Sequence, residues 1–208
     1  LKIGTIDDTP FLIMDYIEQG SELNWAVFGE KLAQLHQIEG KYFGLDHDNY
    51  IGSLEQVNQE CGAWSEFYTN HRLIALTAKA RDQGLFEKKH CNWVEKLCQR
   101  LDELIPACKP SLIHGDLWSG NLLIDTSGHP VLIDPAVYYG HPEMDWAMLS
   151  LFGSYPVEAL DHYQNLHPLE KGLNERIDIH QLYPLMVHLI LFGAGYRSSI
   201  LDTLKKYI

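Results

Sequence analysis

The chain has 208 residues, 46% hydrophobic and 21% charged, which is enough apolar sequence for a substantial core and unlike a disordered composition. Its formal charge of −12 argues against nucleic acid or an anionic membrane as the main partner. No run of about 18 apolar residues occurs, so no membrane span is expected. The length fits one domain, or one large lobe of a slightly larger protein. Cys61, Cys91, Cys98 and Cys108 form no Cys-x-x-Cys pair and read as free thiols of a reducing, cytoplasmic setting. The chain opens at Leu1 with neither an initiator Met nor a signal-peptide pattern, so a fragment is expected.

Lys2–Ile6 and Phe11–Asp15 flank the turn Asp7-Asp8-Thr9-Pro10 and predict a β-hairpin, with the apolar run Phe11–Met14 as a buried strand. Asp15, Tyr16, Ile17 and Glu18 then turn polar. They read as an ordinary strand-to-helix loop or, in a kinase-like fold, as the hinge whose backbone meets adenine. Asn24–Gln37 predicts a helix from the spacing of Trp25, Phe28, Leu32 and Leu35, capped by Asn24 or Ser21. Gly40–Asn58 is rich in turn formers but carries Tyr42, Phe43 and Tyr50, so it is expected to be an ordered, long loop. Glu60–Gln83 predicts a long helix or two, with Trp64, Phe67, Tyr68, Arg72 and Leu76 as a core stripe. Glu87–Ile105 predicts one amphipathic helix, ended by Pro106 and Pro110.

The stretch Ser111–Tyr139 carries the chemistry. Three short apolar runs end at or beside His114 and Asp116, Asn121, and Asp134. Two carboxylates and an amide at strand ends suit phosphoryl transfer with a divalent metal: Asp116 as the base that orients a hydroxyl and takes its proton, Asn121 and Asp134 as hard oxygen ligands for Mg²⁺. Gly115 allows a sharp turn before Asp116, and Asp125-Thr-Ser-Gly128 predicts a hairpin of Leu122–Ile124 with Val131–Ile133 that brings Asn121 and Asp134 to one end. His114 reads as a core histidine bonded to backbone carbonyls, and Asp125 as a turn former.

Beyond it, Pro142 opens a helix over Met144–Phe152, with Asp145 in the first turn where the helix dipole stabilises a carboxylate. Pro156–Leu166 predicts a short helix. Asn174–Lys206 predicts a long apolar helical segment broken near Pro184.

The segments HGDLWSGN (His114–Asn121), IDPAVYYGHPEMDWAM (Ile133–Met148) and FGLDHDNYIG (Phe43–Gly52) resemble the fructosamine kinase, or ketosamine-3-kinase, family within the aminoglycoside phosphotransferase and choline kinase group of protein-kinase-like enzymes. The resemblance implies an α+β fold: the mostly helical C-terminal lobe of a protein-kinase-like fold with a catalytic-loop β-hairpin, preceded by one hairpin of the N-terminal lobe. Residues 1–20 would then end the N-terminal lobe and hinge, and residues 21–208 would form the catalytic and substrate lobe. It implies ATP and Mg²⁺ as cofactors and, as reaction, phosphorylation of a sugar hydroxyl on a fructosamine or ribulosamine, free or on a protein lysine. Asp116 matches the catalytic base, Asn121 and Asp134 the metal ligands, and Asp145 a position that braces the catalytic region. Trp118, Tyr138, Tyr139 and His141 border the site, with Trp118, Tyr138 and His141 as substrate contacts. Trp118 either stacks on the sugar or amine carrier or packs as a lid.

A phosphate-covering loop and a nucleotide-binding Lys with its Glu partner are not recognised, so the 208 residues alone are expected to turn over ATP poorly. The alternatives are another small-molecule kinase of the group, for aminoglycosides, choline or homoserine, and a nucleotide-binding pseudokinase-like module. A metal-dependent hydrolase is disfavoured, because the 11 histidines are scattered with no His-x3-His pair.

Overall fold

The computed structural model describes residues 1–207. Strands β1 (Lys2–Ile6) and β2 (Thr9–Ile13) pair antiparallel with Ile6 opposite Thr9. Asp7 and Asp8 take φ of 47° and 62° between them, the left-handed pair of a type I′ turn, which Asp tolerates better than most side chains. The expected hairpin forms, with a two-residue turn so that β2 starts at Thr9 rather than Phe11, but Phe11–Met14 is not a buried strand. Leu12, Ile13 and Met14 are exposed, because among the described residues no third strand joins this sheet.

Helix α1 (Trp25–His36) starts at Asn24, whose Oδ1 accepts from the Val27 N–H at 3.1 Å. The Gly40–Asn58 segment is ordered and folds into a small hairpin, β3 (Asn49–Ile51) with β4 (Leu54–Gln56). Next, α2 (Trp64–Phe67) widens into a π-helical stretch over Tyr68–Ile74 before α3 (Ala75–Asp82), so that Tyr68, Arg72 and Leu73 all face inward. The single helix expected over Glu87–Ile105 is two, α4 (Lys88–Cys98) and α5 (Leu101–Leu104). The last turn of α4 tightens through Arg100 N–H to Leu97 O, and the Arg100 side chain bonds the Tyr207 carbonyl instead of continuing the helix surface.

Strand β5 (Ser111–Ile113) pairs antiparallel with β8 (Tyr138–Gly140), and between them β6 (Leu122–Ile124) pairs with β7 (Pro130–Leu132), the predicted hairpin, with Leu122 opposite Leu132. Asp125 Oδ1 accepts from the Ser127 and His129 N–H groups and closes the connecting turn. Then come α6 (Glu143–Leu151), α7 (Val157–Leu166), α8 (Leu173–Phe192) and α9 (Arg197–Tyr207). The break expected near Pro184 does not occur. The acceptor that Pro184 leaves without its N–H is the His180 carbonyl, and the Tyr68 hydroxyl donates there and to the Ile179 carbonyl, so α8 runs through. The helix ends instead at Gly193, whose φ of 93° no other side chain adopts readily.

Two apolar clusters hold the helices. The larger gathers α3, α4, α8 and α9 around residues such as Leu73, Leu97, Met186 and Leu204. The smaller joins α1, α6 and α7 through Phe28, Leu32, Trp146 and Tyr163. The paired strands β5 and β8 and the hairpin β6–β7 carry the polar residues of the central stretch. None of the helices is long and apolar enough to cross a membrane, among the described residues.

Candidate active site

His114 leaves β5 into a turn at Gly115, which has φ of 81° and lies so close to the Ala136 carbonyl that a Cβ would collide with it. His114 Nε2 donates to the Ile133 carbonyl at 2.9 Å, and its Nδ1 accepts from the Asp116 N–H at 3.3 Å. Asp145, fully buried in the first turn of α6, fixes the same turn from behind. Its Oδ2 accepts from the His114 N–H at 2.8 Å and from His36 Nε2 at 3.1 Å, and its Oδ1 from the Gly115 N–H at 2.9 Å. Burial pushes the Asp145 carboxyl up, but the bonds from His36 and His114 outweigh it and hold the group below its ordinary value.

Asp116, Asn121 and Asp134 converge at one end of the β6–β7 hairpin. The Ile133 N–H donates to the Asn121 carbonyl at 3.0 Å, aligning the two strand ends. Asn121 Nδ2 donates to Asp116 Oδ2 at 3.1 Å and to the Asp116 carbonyl at 2.9 Å, and lies 3.5 Å from the Asp134 carbonyl. The amide is thereby oriented with Oδ1 outward. Among the described residues neither Asn121 Oδ1, Asp116 Oδ1 nor the exposed Asp134 carboxylate has a hydrogen-bond partner. Burial raises the Asp116 carboxyl above its ordinary value, against the pull of His114 and the Asn121 hydrogen bond. A half-buried carboxylate with raised pKa beside two open hard-oxygen donors can accept a proton and face a divalent cation.

Trp118 stands on the loop between Asp116 and Asn121, 39% exposed, and forms one wall of a recess of about 370 Å³ with Phe152, His188, Phe192 and Tyr196. His188 sits among the other three rings, 4.9 Å from Phe152, 5.4 Å from Phe192 and 5.1 Å from Tyr196 between centroids. Sequence reasoning passed over these four residues because they lie in apolar helical runs. The spacing of His188, Phe192 and Tyr196, four apart, was their signal.

Two expected substrate contacts are elsewhere. Tyr138 is 0% exposed with Arg72 over its ring, and His141 is 2% exposed beneath Pro106–Cys108, so neither presents a surface to a sugar. Tyr138 points inward from β8 while the half-buried Tyr139 faces the other way, and His141, just past the strand, packs 4.9 Å from the His180 ring. His141 belongs to a cluster that sequence spacing hid: His141, Glu143 and His180 come together within 4.8 Å. It is not an open metal centre. Arg176 donates to both Glu143 oxygens and His180 Nε2 to Oε2, so Glu143 is an internal ion pair that ties α6 to α8.

Asp15, Tyr16 and Glu18 are exposed and Ile17 half-buried, in a segment whose continuation docks on the hairpin through Gly20 N–H to Ile124 O at 2.9 Å. This contact is at the turn end of the hairpin, opposite the end that bears Asn121 and Asp134.

A family profile described as fructosamine kinase matches residues 1–208. The probable ketoamine kinase of Lactiplantibacillus plantarum is 39% identical over 206 residues, which cover 98% of this chain and 73% of that protein. A solved structure from Thermobifida fusca, described as a candidate fructosamine-3-kinase, superposes with a TM-score of 0.89 at 38% identity, covering 98% of this chain and 72% of that one. An ADP-bound aminoglycoside phosphotransferase shares the fold alone, with a TM-score of 0.53 at 15% identity over 99% of this chain and 73% of its own.

Proposed function

The chain belongs to the fructosamine kinase family, and from that premise we propose that it transfers the γ-phosphate of ATP to a sugar hydroxyl of a ketosamine, a fructosamine or ribulosamine, free or on a protein lysine. The observation that carries the reading is the convergence of Asp116, Asn121 and Asp134 at one hairpin end, with their unbonded oxygens facing outward. In this reading Asp116 Oδ1 receives the acceptor hydroxyl and takes its proton. Asn121 keeps Asp116 Oδ2 occupied, so that one carboxylate oxygen is reserved for the substrate. Asn121 Oδ1 and the Asp134 carboxylate fit a Mg²⁺ ion as hard oxygen donors. A bound Mg²⁺ would neutralise charge on the nucleotide phosphates.

Trp118 and the rings around His188 form the wall against which the sugar or its amine carrier stacks. The backbone of Asp15, Tyr16, Ile17 and Glu18 is assigned to adenine, because it borders the same hairpin. Residues 1–20 are assigned to the end of an N-terminal lobe and the hinge, and residues 21–208 to the catalytic lobe. Among the described residues the Lys–Glu ion pairs are Lys89–Glu87 and Lys109–Glu39, both on the surface of the helical part, so a phosphate-binding pair is assigned to other residues.

The test is an ATP-consumption screen of the protein that carries this chain over fructosamine, ribulosamine, an aminoglycoside and choline, with Asp116→Asn as control. Turnover confined to ketosamines and lost in Asp116→Asn supports the reading. Turnover of choline or the aminoglycoside alone overturns it.

A further inference from the structure

Asp134 has φ of 51°, a left-handed conformation that a non-glycine side chain resists, and what holds it there lies far away in sequence. The two peptide groups after Pro135 are gripped from the β3–β4 hairpin. Asn49 Nδ2 donates to the Val137 carbonyl at 2.8 Å and Gln56 Nε2 to the Ala136 carbonyl at 3.2 Å. The Ala136 N–H donates to the His114 carbonyl at 2.9 Å, so the same segment is tied to the turn that bears Asp116.

Each amide in this grip has its orientation fixed by the next. Asn49 Oδ1 accepts from Gln56 Nε2 at 2.7 Å and from Asn58 Nδ2 at 2.9 Å. Asn58 Oδ1 accepts from Arg72 Nη2 at 2.8 Å, and Tyr183 donates to Gln56 Oε1 at 2.6 Å. A guanidinium only donates, so Arg72 forces the oxygen of Asn58 toward itself, the nitrogen of Asn58 toward Asn49, and the nitrogen of Asn49 toward Val137.

Arg72 is 0% exposed and has no carboxylate partner among the described residues. Its charge rests on the Val57 and His71 carbonyls and on the rings of Phe67, Tyr138 and Tyr183, 4.5, 4.1 and 5.1 Å from its Cζ. Burying a cation without a counter-ion is costly, and an apolar side chain would fill this space at lower cost, so packing alone does not explain it.

We propose that Arg72, Asn58, Asn49 and Gln56 are a positioning relay that fixes the backbone after Asp134 and thereby sets the aim of its carboxylate toward a divalent cation. The proposal rests on the reading of Asp134 as a metal ligand, and it makes the β3–β4 segment a brace of the site.

The test titrates Mn²⁺ into the protein without substrate, read by electron paramagnetic resonance, alongside thermal denaturation. Asn49→Ala is expected to weaken Mn²⁺ binding about 10- to 100-fold, as loss of an outer-shell partner does, while the protein stays folded. Leu204→Ala, a core truncation in α9, is expected to lower Tm and leave Mn²⁺ affinity unchanged. Arg72→Met is expected to act like Asn49→Ala, with Arg72→Lys between it and wild type. Should Arg72→Met not fold, the half-buried Asn49 position carries the test. In turnover, Asn49→Ala raises the half-saturating Mg²⁺ by the same factor and leaves the KM for the ketosamine unchanged.

Wild-type Mn²⁺ affinity in folded Asn49→Ala overturns the relay, and so does a wild-type protein that binds no Mn²⁺. Weakened Mn²⁺ binding in Asn49→Ala, together with no ketosamine turnover by wild type, upholds the relay and overturns the proposed substrate.

Discussion

Two pairs of carboxylates lie close together in this chain and have opposite surroundings. Asp116 and Asp134 stand at a hairpin end, where among the described residues Asp116 Oδ1 and both Asp134 carboxylate oxygens have no hydrogen-bond partner. Glu143 and Asp145, in the first turn of α6, spend every oxygen: Glu143 on Arg176 and His180, Asp145 on His36 and the His114 and Gly115 N–H groups. Titration follows the same division. Burial raises Asp116, while at Glu143 hydrogen bonds from Arg176 and His180 overcome burial and bring the carboxyl down to about 2. The contrast separates acids with open oxygens from acids used up in holding the fold.

The largest effect that would break this comparison is at Asp116. Asp116→Asn is expected to lower kcat by about 10²- to 10⁴-fold with little change in Tm, measured by coupled ATP turnover and thermal melting. Glu143→Ala strands Arg176 without its partner and is expected to cost about 3–5 kcal/mol in denaturant unfolding, with activity lost only as the folded fraction falls.

The pH dependence of stability sharpens the point. Glu143 and His141 both have folded values below their ordinary ones, Glu143 at about 2 and His141 at about 3, where burial and the neighbouring His180 disfavour the imidazolium. Both then bind protons more readily unfolded, so their stabilisation is complete at high pH and is lost on acidification. In unfolding at stepped pH, the contribution of these two groups should be flat above the ordinary histidine value of 6.5 and fall below it. A further loss of about 3 kcal/mol is expected from Glu143 between pH 4.5 and about 2, absent in Glu143→Gln. The smallest effect is at Trp118. Trp118→Ala should raise the KM for the ketosamine several-fold, about 1 kcal/mol, and leave Tm unchanged because the ring is part-exposed. An unchanged KM would make Trp118 a packing lid.

The open pair and its hairpin were legible in the sequence because their signals are local. Asp125 and Gly128 fix a turn, and a two-residue strand period then carries Asn121 and Asp134 to the same end. Of the closed pair, Asp145 was expected as a brace but the role of Glu143 was not, because Arg176 and His180 reach Glu143 from a helix more than thirty residues on, and only tertiary packing brings them together. The same limit explains Tyr138 and His141: position near the Asp116 turn was readable, but which way each side chain points was not. Pro184 misled for a related reason, since its compensating donor, Tyr68, comes from a different helix. Local rules identified the Gly40–Asn58 segment as ordered. Its polar side chains act on backbone about eighty residues away, which no spacing within the segment reveals.

The most direct measurement is transfer of labelled γ-phosphate from ATP to a synthetic fructosamine by the protein carrying this chain, with wild type, Asp116→Asn and Glu143→Gln compared at equal folded protein. The account predicts that Asp116→Asn lowers transfer by about 10²- to 10⁴-fold and that Glu143→Gln, once folded, retains it. Transfer retained in Asp116→Asn, or lost in folded Glu143→Gln, would contradict the division between the two pairs.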